Sequence, residues 1–318
     1  VAPCAVFFDA SETTSVITNM PFHELDYSWN FGDPSSGNFA VTGKSKNIAR
    51  GPLAAHVFET LGTYQVNLSV NDGTEIASQI ISISVSDPNA VFSGTNTICF
   101  SQAGNFTGCP SGALQITTST FTDINTHLNP GKIILFRRGE TWTGTTINMN
   151  DAGPGIIGAY GSCLGADARG ICSNNPMIIG GAFQLSPPGI AGIETYDWRF
   201  MDLKFENENG VVACGLNNAF CTSGELRDIL FLRLHVRRYG RAIYLGAGTL
   251  TVGIDQPHER LSVVDSQLED IYGGSGQNIM QGVFRKFALM GTLLRNSTEG
   301  EHVTRFLYLN KSVISNNV

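Results

Sequence analysis

The sequence predicts an all-β protein in two parts, a small β-sandwich followed by a solenoid of stacked strands. Of its 318 residues 36 are Gly and only 15% are charged, and its apolar runs are short and separated by turn residues. Apolar and polar residues alternate in the first 87 residues. The rest of the chain instead repeats a six-residue apolar pattern at intervals of 22 to 32 residues, which indicates a solenoid.

The first part of the chain has the pattern of antiparallel strands. Residues 63–73, TYQVNLSVNDG, place apolar side chains at every second position: Tyr64, Val66, Leu68 and Val70. A second alternating run, ASQIISISVSD at 77–87, follows the turn signal Asn71–Asp72–Gly73, so the two runs predict a hairpin. Upstream, LDYSWNFGDP at 25–34 puts Tyr27, Trp29 and Phe31 on one face of a third strand.

Two motifs in this region resemble the PKD domain, an immunoglobulin-like module. YSWNFGDPSSG (27–37) carries a Trp-x-Phe-Gly-Asp strand end, and AAHVFETLGTYQVNLSVNDG (54–73) carries His-x-Phe and Gly-x-Tyr-x-Val-x-Leu-x-Val. The resemblance covers residues 1–87. It implies a sandwich that serves as a spacer or a weak carbohydrate or protein contact on secreted proteins, with Trp29 and His56 structural. Asp33 and Asp72 are candidates for holding Ca²⁺, with turn capping as the alternative.

The remaining chain is predicted to be a linker and cap at 88–131 and a right-handed parallel β-helix at 132–318. Repeats starting at 134, 156, 178, 200, 231, 263, 289 and 313, such as IIGGAF, FMDLKF and FLRLHV, give about eight coils. PGKIILFRRGETW (130–142) also resembles the first strand of secreted right-handed β-helix proteins, a group that contains polysaccharide lyases, glycoside hydrolases, adhesins and phage spikes. That resemblance covers about 118–318 and is specific for fold, not for activity.

Alternation within each repeat predicts that the second, fourth and sixth residues face the core, as Met201, Leu203 and Phe205 do in the fourth repeat. Equivalent residues of stacked parallel strands lie about 4.8 Å apart, so the opposite face carries polar columns. These columns are Asp202–Arg233–Asp265, Lys204–His235–Gln267 and Glu206–Arg237–Glu269–Arg295. They predict either a saccharide-binding groove or a charge-balanced, solvated surface.

Two catalytic chemistries fit the columns. β-Elimination of a uronate needs a cation for the sugar carboxylate, from Arg233, Arg237 or Lys204, and a base, from His235 or Tyr239. Hydrolysis needs two carboxylates, for which Asp202 and Asp265 are the candidates. The segment RLHVRRYGRAIYLG (233–246) is rich in cations, so the predicted substrate contacts are Asp202, Arg237, Arg238, Arg241, Asp265 and Gln267. Elimination is favoured, although no pectate-lyase or polygalacturonase motif occurs.

Composition indicates the compartment and excludes some partners. The net charge of −7 argues against nucleic-acid binding, and no run of about 18 apolar residues predicts a membrane span. Six of the seven cysteines form close pairs, Cys99/Cys109, Cys163/Cys172 and Cys214/Cys221. We interpret them as disulfides of a secreted or cell-surface protein, with free buried thiols as the alternative. Cys4 is left for a partner outside the chain.

Two functions remain open at this stage. One is a secreted protein that interacts with an extracellular polysaccharide and acts as a polysaccharide lyase on a uronate polymer. The other is a non-catalytic structural or adhesive protein that uses the solenoid as a scaffold. The final residues, HVTRFLYLNKSVISNNV (302–318), form strands in which His302 and Arg305 face opposite ways. Such a bare strand edge predicts self-association or a further stretch of chain.

Overall fold

The structure is a computed structural model. It describes residues 1–185, 195–207, 214–222, 224–246, 257–272, 278–297 and 302–318. Within these ranges strands are the main secondary structure, and helices are few.

Residues 1–87 form two antiparallel sheets. The strands are β1 (Cys4–Asp9), β2 (Asp26–Asn30), β3 (Ile48–Arg50), β4 (Leu53–Phe58), β5 (Gly62–Asn71) and β6 (Ile76–Val85). Strand β1 pairs with β4, and the second sheet has the order β3-β2-β5-β6. The predicted hairpin is confirmed, because β5 and β6 pair from Gly62↔Val85 to Asn71↔Ile76. Tyr27, Trp29 and Phe31 are buried between the sheets, also as predicted.

Helices are few and short. The α-helices are α1 (Pro21–Glu24), α2 (Pro88–Val91) and α3 (Cys214–Asn217), and 3-10 turns occupy Pro34–Ser36, Gly94–Asn96 and Phe121–His127. Proline at the first helical position of α1 and α2 satisfies the preference of helix N-termini for a residue without an N–H donor. These segments connect the sheets and contribute little to the core beyond Phe121 and Ile124.

The second part of the chain consists of short strands in large, mainly parallel sheets. In chain order they are β7 (Thr97–Ser101), β8 (Leu114–Thr117), β9 (Lys132–Arg137), β10 (Thr141–Thr143), β11 (Thr146–Met149), β12 (Ala152–Tyr160), β13 (Met177–Ile179), β14 (Ala182–Leu185), β15 (Thr195–Met201), β16 (Lys204–Glu206), β17 (Asn218–Thr222), β18 (Leu226–Leu232), β19 (His235–Arg237), β20 (Arg241–Leu245), β21 (His258–Val264), β22 (Gln267–Ile271), β23 (Met280–Met290), β24 (Leu293–Ser297), β25 (Thr304–Asn310) and β26 (Val313–Ser315). Their β-branched and aromatic residues suit a pleated, buried surface.

Parallel pairing sorts these strands into three rows. Row A is β7-β9-β12-β15-β18-β21, continued by the second half of β23 and by β26. Row B is β10-β13-β16-β19-β22-β24, and row C is β11-β14-β17-β20, continued by the start of β23 and by β25. Strand β8 lies outside β7. Parallel pairing therefore already begins at Thr97.

Aromatic side chains fill the core that the rows share. The rings of Phe200 and Phe231, on successive strands of row A, stack with centroids 5.5 Å apart. In row C the rings of Phe183 and Phe220 stack at 5.7 Å, and Phe200 meets Phe220 edge to face. Both arrangements are favourable for aromatic quadrupoles. Equivalent residues of neighbouring strands thus form continuous apolar ladders.

The register confirms five of the eight predicted repeat starts and corrects three; Ile134 is aligned with Phe200 through Ile157. Phe200, Phe231, Val263 and Leu289 pair in succession, as predicted. The start at 178 is wrong, because Ile178 belongs to row B and pairs with Phe205. The starts at 156 and 313 are each displaced by one residue, since Ile134 pairs with Ile157 and Leu289 with Ile314. A six-residue apolar pattern does not distinguish strands of different rows.

The predicted core face is also wrong in its second position. In the repeats that start at 200, 231 and 263 the third residue has a left-handed backbone, with φ of 59° at Asp202, 50° at Arg233 and 49° at Asp265. This residue turns the chain from row A to row B and interrupts the strand alternation. The first residue, such as Phe231, therefore faces the core, while the second, such as Leu232, faces away from it. The fourth and sixth positions point inward as predicted.

The outward residues of row A are covered by residues 1–87. Leu230, Leu232 and Val264 pack with Met290 and Ala288 against the N-terminal side chains of Phe39, Ala55 and Val57. Polar bonds frame this apolar contact: Arg199 Nε donates to the Pro3 carbonyl at 3.0 Å, and Lys311 Nζ lies 2.8 Å from Asp9 Oδ2. The sandwich is therefore docked against row A along its length.

Candidate functional site

The predicted column Asp202–Arg233–Asp265 lies at the junction between the N-terminal sandwich and row A. Arg233 Nε donates to Asp202 Oδ1 at 2.7 Å, and its Nη1 donates to Glu59 of the sandwich. Asp265 is 1% exposed and accepts a hydrogen bond from Lys46 Nζ at 2.6 Å. This column is thus enclosed by the sandwich and is not a solvated groove.

The protonation states of Arg233 and Asp265 depend on burial and on two charged residues of the sandwich, Glu59 and Lys46. Burial disfavours the Arg233 cation, but Asp202 and Glu59 outweigh burial and raise the pKa of Arg233 above its ordinary value. Burial raises the pKa of Asp265, against the opposing effects of Lys46 and Arg233. A permanently charged Arg233, paired on both sides, is a structural cation in this arrangement.

The other two predicted columns form a ladder of charged residues along row B. Their register is as predicted: Lys204 pairs with His235 and His235 with Gln267, while Glu206, Arg237, Glu269 and Arg295 follow one another. We call these residues, with Arg238, the row-B ladder. It lies on neighbouring parallel strands, where like charges would repel one another and opposite charges attract.

Each carboxylate oxygen of Glu206 and Glu269 has a nitrogen partner from a neighbouring side chain. Glu206 accepts from Arg237 Nη2 at 2.6 Å and from Arg238 Nη1 at 2.8 Å. Glu269 accepts from Arg295 Nε at 2.6 Å and lies 2.8 Å from His235 Nε2. Burial raises the pKa of Glu269, but the hydrogen bonds from Arg295 and His235 outweigh it and leave this pKa below its ordinary value. Neither carboxylate is positioned as a general acid.

His235 and Lys204 are the catalytic candidates that remain on this surface. Burial lowers the pKa of His235, opposed by Glu269, so the imidazole is neutral near pH 7. Burial also lowers the pKa of Lys204, with a contribution from Arg237, and Lys204 Nζ donates to the Ser173 carbonyl at 2.6 Å. The structure thus brings a neutral imidazole next to a cation, but both side chains already have protein partners.

Two other predicted residues lie away from the ladder. Tyr239 is fully buried and donates from its hydroxyl to the Gly181 carbonyl at 2.6 Å, and burial raises its pKa. It belongs to the core cluster and has no contact with solvent. Arg241 lies at the start of β20 in row C, with its guanidinium 4.7 Å from the ring centre of Tyr244.

The candidate Ca²⁺ residues are engaged in turns and in the sandwich core. Asp33 Oδ2 lies 3.1 Å from His56 Nε2, and Asp33 Oδ1 accepts from Ser35. Asp72 Oδ1 accepts from the backbone N–H groups of Thr74 and Glu75. Among the described residues no group of three or more His, Cys, Asp or Glu side chains could hold a metal ion.

The three predicted disulfides are confirmed. Cys99 is bonded to Cys109, Cys163 to Cys172 and Cys214 to Cys221, while Cys4 is free. Each bond closes a short loop, with sequence separations of 10, 9 and 7 residues, which limits the freedom of the unfolded chain. Disulfides of this kind fit an extracellular protein.

Four pockets in the described ranges lie on or beside the sandwich. The largest, about 480 Å³, opens on β5 and β6 near Leu68, Val70 and Ile76. Two others flank the junction with row A, near Met290 and near Ile156, and a small one of about 20 Å³ adjoins Asp265. None of these four is lined by residues of the row-B ladder.

Sequence reasoning missed the residues that complete the junction, Lys46 and Glu59. No local pattern marks them, because each meets its partner across more than 170 positions of sequence. The sequence does contain a signal for the left-handed turns. The third positions at 202, 265 and 291 are Asp, Asp and Gly, residues that tolerate a positive φ, although Arg233 breaks the pattern.

Comparisons identify the N-terminal module. Residues 1–85 match the family model described as PKD domain, in agreement with the sandwich and with the motifs at Trp29 and His56. Comparisons with curated proteins and with solved structures give no match. No helix among the described residues is long and apolar enough to cross a membrane.

Proposed function

We propose that this chain is a secreted, non-catalytic scaffold in which a right-handed parallel β-helix carries a firmly docked PKD domain. The observation that supports this proposal most strongly is the docking itself. Arg233, a candidate for neutralising a sugar carboxylate, is paired with Asp202 and with Glu59 of the PKD domain. A substrate would have to displace a whole domain to reach it.

Strand pairing supports the β-helix. From β9 to β21 each strand of row A is followed by one of row B and one of row C before row A resumes, as in β15, β16, β17 and β18. Recurring left-handed residues turn the chain between rows A and B. Parallel strands connected in one sheet are almost always joined by right-handed crossovers, so we infer that the coils are right-handed. Ladders of paired charges are compatible with a structural rod.

The scaffold proposal predicts no turnover of polysaccharide. We expect no unsaturated product when the protein is incubated with pectin, alginate or glycosaminoglycans, as followed by ultraviolet absorbance. A lyase activity that is lost in His235→Ala and kept in Arg50→Ala, a matched change on the PKD domain, would contradict the proposal.

A second candidate function is uronate lyase activity at His235. It is favoured by one observation: Glu269 holds the imidazole at Nε2 while burial keeps it neutral. Nδ1 would then be the base for the proton next to the sugar carboxylate, with Lys204 as the cation. If so, Glu269→Gln would lower kcat and shift the pH profile of kcat to lower pH. Tyr239→Phe would leave kcat unchanged.

Self-association also remains a proposal. Strands β25 and β26 expose Leu307, Leu309 and Ile314 by 41–49%, and such apolar strand surfaces favour contact with a second copy. Sedimentation of the wild type against Ile314→Lys tests this, because the charge would weaken an edge-to-edge contact.

A further inference from the structure

One cluster of cations in row C differs from all the paired charges described above. Strands β17, β20, β23 and β25 place Cys221, Tyr244, Gln281 and Arg305 side by side, in that order. Arg241, three residues before Tyr244, lies at the start of β20. We call Arg241, Tyr244, Gln281 and Arg305 the Arg241 patch.

Arg241 has an aromatic partner but no carboxylate. It is 8% exposed and its guanidinium lies 4.7 Å from the ring centre of Tyr244. In the described ranges no Asp or Glu forms an ion pair with Arg241 or with the exposed Arg305. Burial lowers the pKa of Arg241, and the like charge of Arg305 lowers it further. Two neighbouring cations without a counter-ion are unfavourable unless an anion binds between them.

Several buried polar atoms beside this patch have no hydrogen-bond partner. Arg241 Nε has no hydrogen-bond partner, and neither does Asn218 Oδ1, on the residue that pairs with Arg241 in register. Asn278 Oδ1, one residue before the Ile279 carbonyl that accepts from Ala242, is unpartnered as well. Buried polar atoms normally find partners within the protein. Unsatisfied donors and acceptors on β17, on β20 and just before β23 therefore indicate that a polar ligand or its water binds here.

The arginines of the row-B ladder can be compared with those of the Arg241 patch. There Arg237 and Arg295, also on neighbouring parallel strands, each have a Glu partner at 2.6 Å. The ladder thus supplies its own carboxylates. The Arg241 patch lacks them among the described residues, and a ligand carboxylate would complete it.

We propose that the Arg241 patch binds a uronate unit of an acidic polysaccharide. The sugar carboxylate would lie between Arg241 and Arg305, since guanidinium groups match the planar carboxylate. The apolar C–H face of the sugar would pack on the ring of Tyr244, and the Gln281 carboxamide would bond a hydroxyl. This site is separate from the ladder and does not depend on the scaffold proposal.

A polysaccharide is favoured over a nucleic acid at this patch. Only two cations are present, and the chain has a net charge of −7, so few counter-ions would be released from a phosphate backbone. The disulfides fit an extracellular protein, and acidic polysaccharides are extracellular ligands. Tyr244 also offers one half-buried ring beside the Arg241 guanidinium, which suits contact with a single sugar unit.

The test is titration calorimetry of the full chain with oligomers of polygalacturonate, alginate and hyaluronate. We expect binding to at least one polyuronate, and no binding to fully methyl-esterified polygalacturonate, which has the same backbone without charge. Arg305→Gln should weaken binding about tenfold, as expected for one charge-assisted hydrogen bond. Tyr244→Ala should weaken it as well, and Tyr244→Phe, which keeps the ring, should not.

Arg50→Gln is the matched control, because Arg50 is also an exposed arginine, on the PKD domain. It should leave binding unchanged. The proposal is overturned if none of the three polyuronates binds, or if the methyl ester binds equally well. Equal loss in Arg305→Gln and Arg50→Gln, or equal binding of single-stranded DNA, would also overturn it. Because all these substitutions are at partly exposed positions, circular dichroism can verify that each variant is folded.

Discussion

The junction under the PKD domain and the row-B ladder contain similar residues but differ in what surrounds them. At the junction Asp265 is buried and depends on Lys46 from another domain. In the ladder Glu269 bonds to Arg295 and His235 from adjacent strands of the same row. Charges that pair within a row keep their partners without the PKD domain. Charges beneath the docked domain lose their partners if that domain moves away. The difference indicates that the junction holds residues 1–87 against row A and that the ladder stabilises the sheet of row B.

The largest expected effect comes from breaking the junction. Lys46→Ala leaves the Asp265 carboxylate buried without its cation, which should cost about 3 kcal/mol in the free energy of unfolding. Urea denaturation measures this cost. Lys44→Ala, two residues away and exposed, is the control and should change stability by less than about 0.5 kcal/mol. Equal effects of the two substitutions would mean that the PKD domain is not docked at Asp265.

An intermediate effect is expected in the core beneath the ladder. Tyr239→Phe removes the hydroxyl that donates to the Gly181 carbonyl, so the free energy of unfolding should fall by about 1–2 kcal/mol. Thermal denaturation followed by circular dichroism checks this value. A wild-type stability in Tyr239→Phe would show that the Gly181 carbonyl has another donor.

The pH dependence should have opposite signs in the two regions. The raised pKa of Asp265 means that its contribution to stability is fully present below its ordinary pKa and is lost as pH rises through the folded-state value. The lowered pKa of Glu269 means that its contribution is present above its ordinary pKa and is lost as pH falls through the folded-state value.

Two variants isolate these contributions. On acidification from pH 7 we expect the wild type to gain stability relative to Asp265→Asn and to lose stability relative to Glu269→Gln. Urea denaturation across this pH range provides both differences. Trends of the same sign would remove the distinction between junction and ladder.

The smallest effect is expected at the solvent side of the ladder. Arg295 has a side chain that is 53% exposed, so Arg295→Ala should lower stability by only about 0.5 kcal/mol. Added salt should reduce the difference further. A loss above about 2 kcal/mol in the free energy of unfolding, measured by urea denaturation, would mean that the ladder contributes as much to stability as the junction.

The success of prediction from sequence also differs between the two regions. The PKD motifs, the disulfides and the register of the row-B ladder follow from local patterns, because neighbouring strands repeat similar residues. The contact of Arg233 with Glu59 does not, since no periodicity links positions 174 residues apart. The error at Ile178 has a related cause: strands of rows A and B share one apolar pattern, and only the pairing partner separates them.

The docking of the PKD domain on row A is tested most directly by a distance measurement between the two domains. Spin labels at Ser78 on β6 and at Thr143 on β10, both exposed, can be introduced in a Cys4→Ser background and measured by pulsed dipolar spectroscopy. We predict a single narrow distance distribution that broadens in Lys46→Ala. A broad distribution in the protein with Lys46 intact would contradict the docking and would return Arg233 to the candidates for substrate binding.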